Sequence, residues 1–140
     1  CLIYAGNNYY PGAAILSSLA ANKTGAGYIT LYTECYRSIQ FTIPEIIVKS
    51  DNDLKEALGP PHANLIGPGG TDLTNFEHLH QFYDKDESEY VLDAGVFTES
   101  DGLLLENGMY NFEDYPCNSI ITPHFGEFMK IFNLYIKNGL

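Results

Sequence analysis

Four short apolar runs each stop at an unusual loop, and this recurrence limits the folds open to the chain. "LIYAG" runs into "NNYYPG", "NLI" into "GPGG", "YVL" into "DAG" and "SII" into "TPHFGE". Apolar runs of this length, bounded by Gly and Pro, read as buried strands. "YITLYT" (28–33) and "EIIVKS" (45–50) are two more strands, rich in β-branched and aromatic residues. Segments of helical spacing lie between them. Pro11 suits a first helical turn, because its φ matches a helix and its missing N–H has no intrahelical partner there. Behind it, Ile15, Leu16, Leu19 and Ala20 fall on one stripe, and Gly25 stands where a C-terminal cap is expected. The small residues of this helix let it pack very close to a sheet. Leu73, Phe76, Leu79 and Phe82 mark a helix over 71–83; a weaker one is expected over 100–106 and a last over 126–134. Strands alternating with helices predict one α/β domain over 1–140, with a mostly parallel sheet and helices on both faces.

Seven basic against eighteen acidic side chains give a net charge of -11, a field that repels phosphate backbones and anionic membranes. Neither nucleic acid nor a membrane surface is an expected partner. An anionic small molecule stays open, since backbone N–H groups at a helix start bind phosphate without basic side chains. Cys1, Cys35 and Cys117 are odd in number and show no C-x-x-C spacing, so neither a disulfide framework nor a zinc site is indicated. With no apolar run of membrane-spanning length and no basic, then apolar, leader, the expected location is the cytoplasm. The chain starts at Cys1, without Met, inside an apparent strand. That leads to the expectation of an upstream segment, removed or never included.

If the strands are parallel, their carboxyl ends share one edge and the four loops converge on a pocket. Gly67, Pro68 and Gly69 make either a tight turn or a close approach to a ligand. Asp93 is either a cap or a ligand for substrate hydroxyls or metal. His124, in a polar loop just before a helix start, is a candidate functional residue, whereas Glu127 in the first turn suits the helix dipole. His78 and His80, two apart on a helix, point to different faces and make no metal pair. The G-x-x-x-x-G-K-[ST], G-x-G-x-x-G and G-x-S-x-G motifs are absent, and no Ser/His/Asp or Cys/His set declares itself.

In order along the chain, "YPGAAILSSLAANKTGAGYITL", "PEIIV", "IGPG", "VLDA" and "ITPHFGEF" resemble the ADP- or ATP-dependent NAD(P)H-hydrate dehydratases, metabolite-repair enzymes of the ribokinase-like superfamily. The resemblance runs from Leu2 to Phe132 and covers about the first half of a family catalytic domain. It implies an incomplete ribokinase-like fold. It also implies a reaction in which a nucleotide phosphorylates the hydroxyl of hydrated NAD(P)H and phosphate is then eliminated, with Mg²⁺ and ATP or ADP expected for the full-length family protein. Carried over by motif, Ala13, Gly69 and His124 would contact the hydrated dinucleotide, with Asp93 from the strand motif. The role implied for His124 is binding and orientation.

Three departures bear on activity. Gly70 and Thr71 stand where the family has Leu-Gly, and Gly95 stands where it has the second Asp of Asp-Ala-Asp. The family's Gly-x-Gly-Asp motif, which supplies the anion hole and the catalytic Asp, does not occur before Leu140. The chain alone is therefore expected to be inactive, with no catalytic residue of its own, while keeping the substrate half of the site. A related vitamin-precursor kinase is one alternative, though such kinases carry Asn in place of His124. A degenerate, non-catalytic binding or interaction protein is another. An incomplete sheet would expose an edge, which makes pairing into a homo-oligomer a further expectation.

Overall fold

A computed structural model describes residues 1–56, 63–70, 88–97, 118–129 and 132. The helices expected over 71–83 and 100–106, together with His78, His80 and Cys117, lie outside the described residues. All six expected strands form: β1 (Leu2–Tyr4), β2 (Thr30–Thr33), β3 (Ile47–Ser50), β4 (Ala63–Ile66), β5 (Glu89–Leu92) and β6 (Ser119–Ile121). Each is three or four residues long, and every neighbouring pair is parallel. The sheet order is β3-β2-β1-β4-β5-β6. Order therefore reverses between β1 and β4, the place where ligands bind in open sheets of this kind.

Helix α1 (Pro11–Lys23) covers the face carrying Ile3 and Leu31. Its contact stripe differs from the one expected. Ala14 and Ser18, one turn apart, are fully buried, with Ile15 and Leu19 flanking them, whereas Leu16 is 70% exposed. Two residues on from Ala14 is about 200° around the helix, so Leu16 faces away once Ala14 faces the sheet. The expectation of close packing holds, because a Cβ on Gly6 would lie 2.6 Å from that of Ala14. The Ser18 hydroxyl donates to the Ala14 carbonyl at 2.8 Å, so burial leaves it satisfied. Ile39, Ile43 and Ile46 extend the same core. Ile39 belongs to the short α2 (Tyr36–Ile39), which the sequence pattern does not reveal.

On the opposite face Leu2, Tyr4 and Tyr32 are also buried, as a parallel sheet requires. Burial, and secondarily the Asp53 carboxylate, push the Tyr32 phenol above its usual range. Among the described residues the sheet ends at β6, where Ile120 and Ile121 are exposed. Among the described residues, no helix is long and apolar enough to cross a membrane.

Gly25 ends α1 as expected. With φ +91°, it donates to the Asn22 carbonyl at 3.1 Å, and Ala26 donates to Ala21 at 3.3 Å. These two bonds are a Schellman motif. A Cβ at Gly25 would meet no atom within 4 Å, so the cost of one is conformational alone. Gly25→Ala is therefore expected to destabilise the protein by about 1 kcal/mol, read as a lower urea midpoint at unchanged slope.

Candidate functional site

The carboxyl-edge loops are joined by main-chain bonds. In the loop after β1, the buried Asn7 accepts with Oδ1 from the N–H groups of Tyr9 (2.9 Å) and Tyr10 (2.8 Å). This turn delivers Pro11 to the first position of α1. Gly6 N–H donates to the Pro68 carbonyl at 2.8 Å, linking the first loop to the one after β4. A Cβ on Gly69 would lie 2.5 Å from that of Ala13, so these two predicted site residues are in direct contact.

Gly67 ties the loop after β4 to β1 and to the loop after β5. Its N–H bonds to the Tyr4 carbonyl at 2.9 Å, and its own carbonyl receives Gly70 (2.8 Å) and Gly95 (3.2 Å). Its φ is +113°, and a Cβ there would sit 1.7 Å from the Asp93 carbonyl oxygen. No other residue fits that position. In the next loop Ala94 has φ 42°, a strained value for a residue with a Cβ, and opens a 3₁₀ turn over Ala94–Phe97. Strain of this kind concentrates at functional sites.

The Asp93 carboxylate does not cap that turn. It accepts the Thr122 hydroxyl at 2.7 Å, and the Thr122 N–H bonds to Leu92 at 3.0 Å, so the last two loops are fastened together. Thr122 and Asn7 escaped the sequence reading. An Asn just past a strand and before Pro is a local turn signal, but a bond between residues 29 apart leaves no local trace.

His124 lies two residues beyond Thr122, with its side chain 73% exposed. Its Nδ1 accepts from the N–H groups of Gly126 (3.0 Å) and Glu127 (3.2 Å). Glu127 reaches back, accepting the His124 N–H at 2.8 Å with Oε2, while Oε1 lies 3.3 Å from Nε2. This is a capping box with His in the place of Ser or Thr, at the start of the helical segment 125–129. Gly126 makes room for the imidazole itself, since a Cβ there would lie 2.9 Å from Cε1. An accepting Nδ1 puts the proton of the neutral ring on Nε2. The four predicted residues thus divide: Ala13 and Gly69 touch, Asp93 binds the loop that carries His124, and the ring of His124 is held by its own helix start.

Gly70 and Gly95 meet in space. A Cβ on Gly95 would come within 2.1 Å of the Gly70 carbonyl oxygen, so main chain occupies the place of a side chain at 95. Among the described residues, no group of three or more His, Cys, Asp or Glu is placed to hold a metal ion.

A family model described as NAD(P)H-hydrate dehydratase matches residues 1–139. Among relatives, an ADP-dependent (S)-NAD(P)H-hydrate dehydratase from Streptococcus pneumoniae is 29% identical over 97% of this chain and 47% of its own length. The enzyme of the same description from Listeria monocytogenes is 30% identical over 93% of this chain and 48% of its own. Among solved structures, an ADP/ATP-dependent NAD(P)H-hydrate dehydratase from Bacillus subtilis, co-crystallised with ATP/Mg²⁺ and soaked with CoA, superposes with TM-score 0.68 at 26% identity. That match covers 97% of this chain and 50% of the other. The chain thus spans about half the length of these relatives, and its fold is ribokinase-like.

Gly95→Asp is expected to destabilise the protein by at least about 2 kcal/mol, because the Gly70 carbonyl must be driven aside. Urea unfolding of the variant checks this. An unchanged midpoint would show that the loop after β4 yields freely.

Proposed function

Because the chain belongs to the NAD(P)H-hydrate dehydratase family, we propose that its carboxyl-edge loops bind hydrated NAD(P)H and form the substrate half of a metabolite-repair site. One observation carries this reading: the loops after β1, β4, β5 and β6 are fastened to each other through Gly6–Pro68, Gly67–Gly95 and Asp93–Thr122. A ligand laid over that edge meets a main-chain surface set in advance, which lowers the ordering cost of binding. Ala13 and Gly69 keep side chains out of its way, and the Asp93–Thr122 pair offers polar atoms to substrate hydroxyls. His124 presents an exposed imidazole in a fixed tautomer, suited to holding and orienting a ligand.

In the complete reaction, a nucleotide with Mg²⁺ would supply the phosphoryl group that turns the hydroxyl of the hydrate into a leaving group. The residues of this chain hold the hydrate; the Gly-x-Gly-Asp motif that activates the hydroxyl in the family is not among them. On this reading residues 1–140 are a partial ribokinase-like domain without dehydratase activity when isolated. The contact of Gly70 with Gly95 favours a second reading, a binding protein that has lost the chemistry, because it leaves no room at 95 for the carboxylate that the resemblance implies there.

The variant His124→Asn tests the substrate reading cleanly, since Asn also caps helices and spares the fold. Titration calorimetry is expected to show saturable binding of hydrated NADH, weakened about tenfold in the variant by loss of a hydrogen bond. No binding by the folded wild-type protein would sink the substrate reading.

A further inference from the structure

A second concavity opens on the β2–β3 side of β1, away from the loops after β4, β5 and β6. Its volume is about 400 Å³, and its walls come from Asn8 in the loop after β1, Glu34 to Ser38 after β2, and Ser50 to Asn52 after β3. All of these stand at strand carboxyl ends. The volume suits a small-molecule moiety such as a nucleoside. In doubly wound sheets whose order reverses as this one does, a dinucleotide lies across the reversal. One nucleotide rests on each half, and an acidic residue past the second strand takes the ribose 2′-hydroxyl.

Glu34 is the first residue after β2, and its Oε1 accepts the side-chain amide of Asn8. A carboxylate has further acceptor sites, and hydrogen bonds from hydroxyls to an ionised oxygen are among the stronger kind. Asp51 adds a second carboxylate to the wall. Arg37 is the one guanidinium there; its Nε donates to the Tyr36 hydroxyl at 3.1 Å, and its Cζ lies 5.7 Å from the centre of that ring. Two carboxylates against one cation leave the wall net negative, which suits a neutral diol and opposes a phosphate. Tyr36 supplies aromatic surface for a base.

We propose that this cavity is a ribose subsite, holding the adenosine ribose of the hydrated dinucleotide and favouring a free 2′-hydroxyl, that is NADH hydrate, over the 2′-phosphorylated form. The proposal rests on the substrate reading above, and adds which end of the dinucleotide lies where and which form is preferred.

Calorimetry on the purified protein with ADP-ribose and 2′-phospho-ADP-ribose as probes tests it. ADP-ribose is expected to bind at least about tenfold more tightly than its 2′-phosphate. Glu34→Gln, which keeps shape and an acceptor, is expected to weaken ADP-ribose about tenfold and to remove most of the preference, as loss of a charged acceptor does. Asp51→Asn, on the opposite wall, is expected to narrow the preference in the same direction. Circular dichroism checks that each variant is folded. Equal affinities for the two probes, indifference to Glu34→Gln, or no binding by the folded protein would each overturn the subsite. If hydrated NADH binds equally well to wild type and Glu34→Gln, the subsite fails and the substrate reading stands. If ADP-ribose binding depends on Glu34 but hydrated NADH binds no better than ADP-ribose, the subsite stands and the substrate reading fails.

Discussion

The main-chain crossing at Gly67 is the constraint on which the carboxyl edge of this sheet depends. One residue bonds back to β1 through Tyr4, receives Gly70 and Gly95 on its carbonyl, and lets the Asp93 carbonyl come against its Cα. A residue with a Cβ would be refused twice, by its φ of +113° and by contact with Asp93. Three strand ends are held in register at that point. Position there is set by backbone atoms, which vary less in geometry than side chains, and a surface that binds a flat, polar ligand gains from this.

Around that crossing the side chains take supporting parts. Asn7 forms the turn that starts α1, Thr122 secures Asp93, and the His124–Glu127 capping box fixes an imidazole at the rim. The His124 arrangement joins two purposes. A Ser or Asp would cap the helix as well, but only His does so while placing an imidazole ring at the surface. The same feature is thus both a structural cap and a candidate ligand contact.

Strands β1, β4 and β5 were legible as short apolar runs leading into glycine loops, and β2 and β3 as runs rich in β-branched and aromatic residues. The cap at Gly25 and the helix start at Pro11 were legible for local steric reasons. Leu16 was not, since a helix of small residues offers two plausible apolar stripes, and tertiary packing on Ile3 and Leu31 chooses between them. Helix α2 and the 3₁₀ turns over Asp51–Glu56 and Ala94–Phe97, four to six residues each, are too short to show a period. The contact of Gly70 with Gly95 and the bond of Asp93 with Thr122 join residues far apart in the chain, where no local pattern reaches. The cap at His124 did leave a signal: H-x-x-E has the spacing of a capping box, with an unusual first residue.

A map of backbone amide chemical shifts of the purified protein as hydrated NADH is added tests the carboxyl-edge site most directly. The largest changes are expected at Ala13, Gly69, Asp93 and Thr122, on the carboxyl edge, with α1 beyond its first turn unmoved. Saturating changes confined to other parts of the sheet, or no changes at all, would contradict that site.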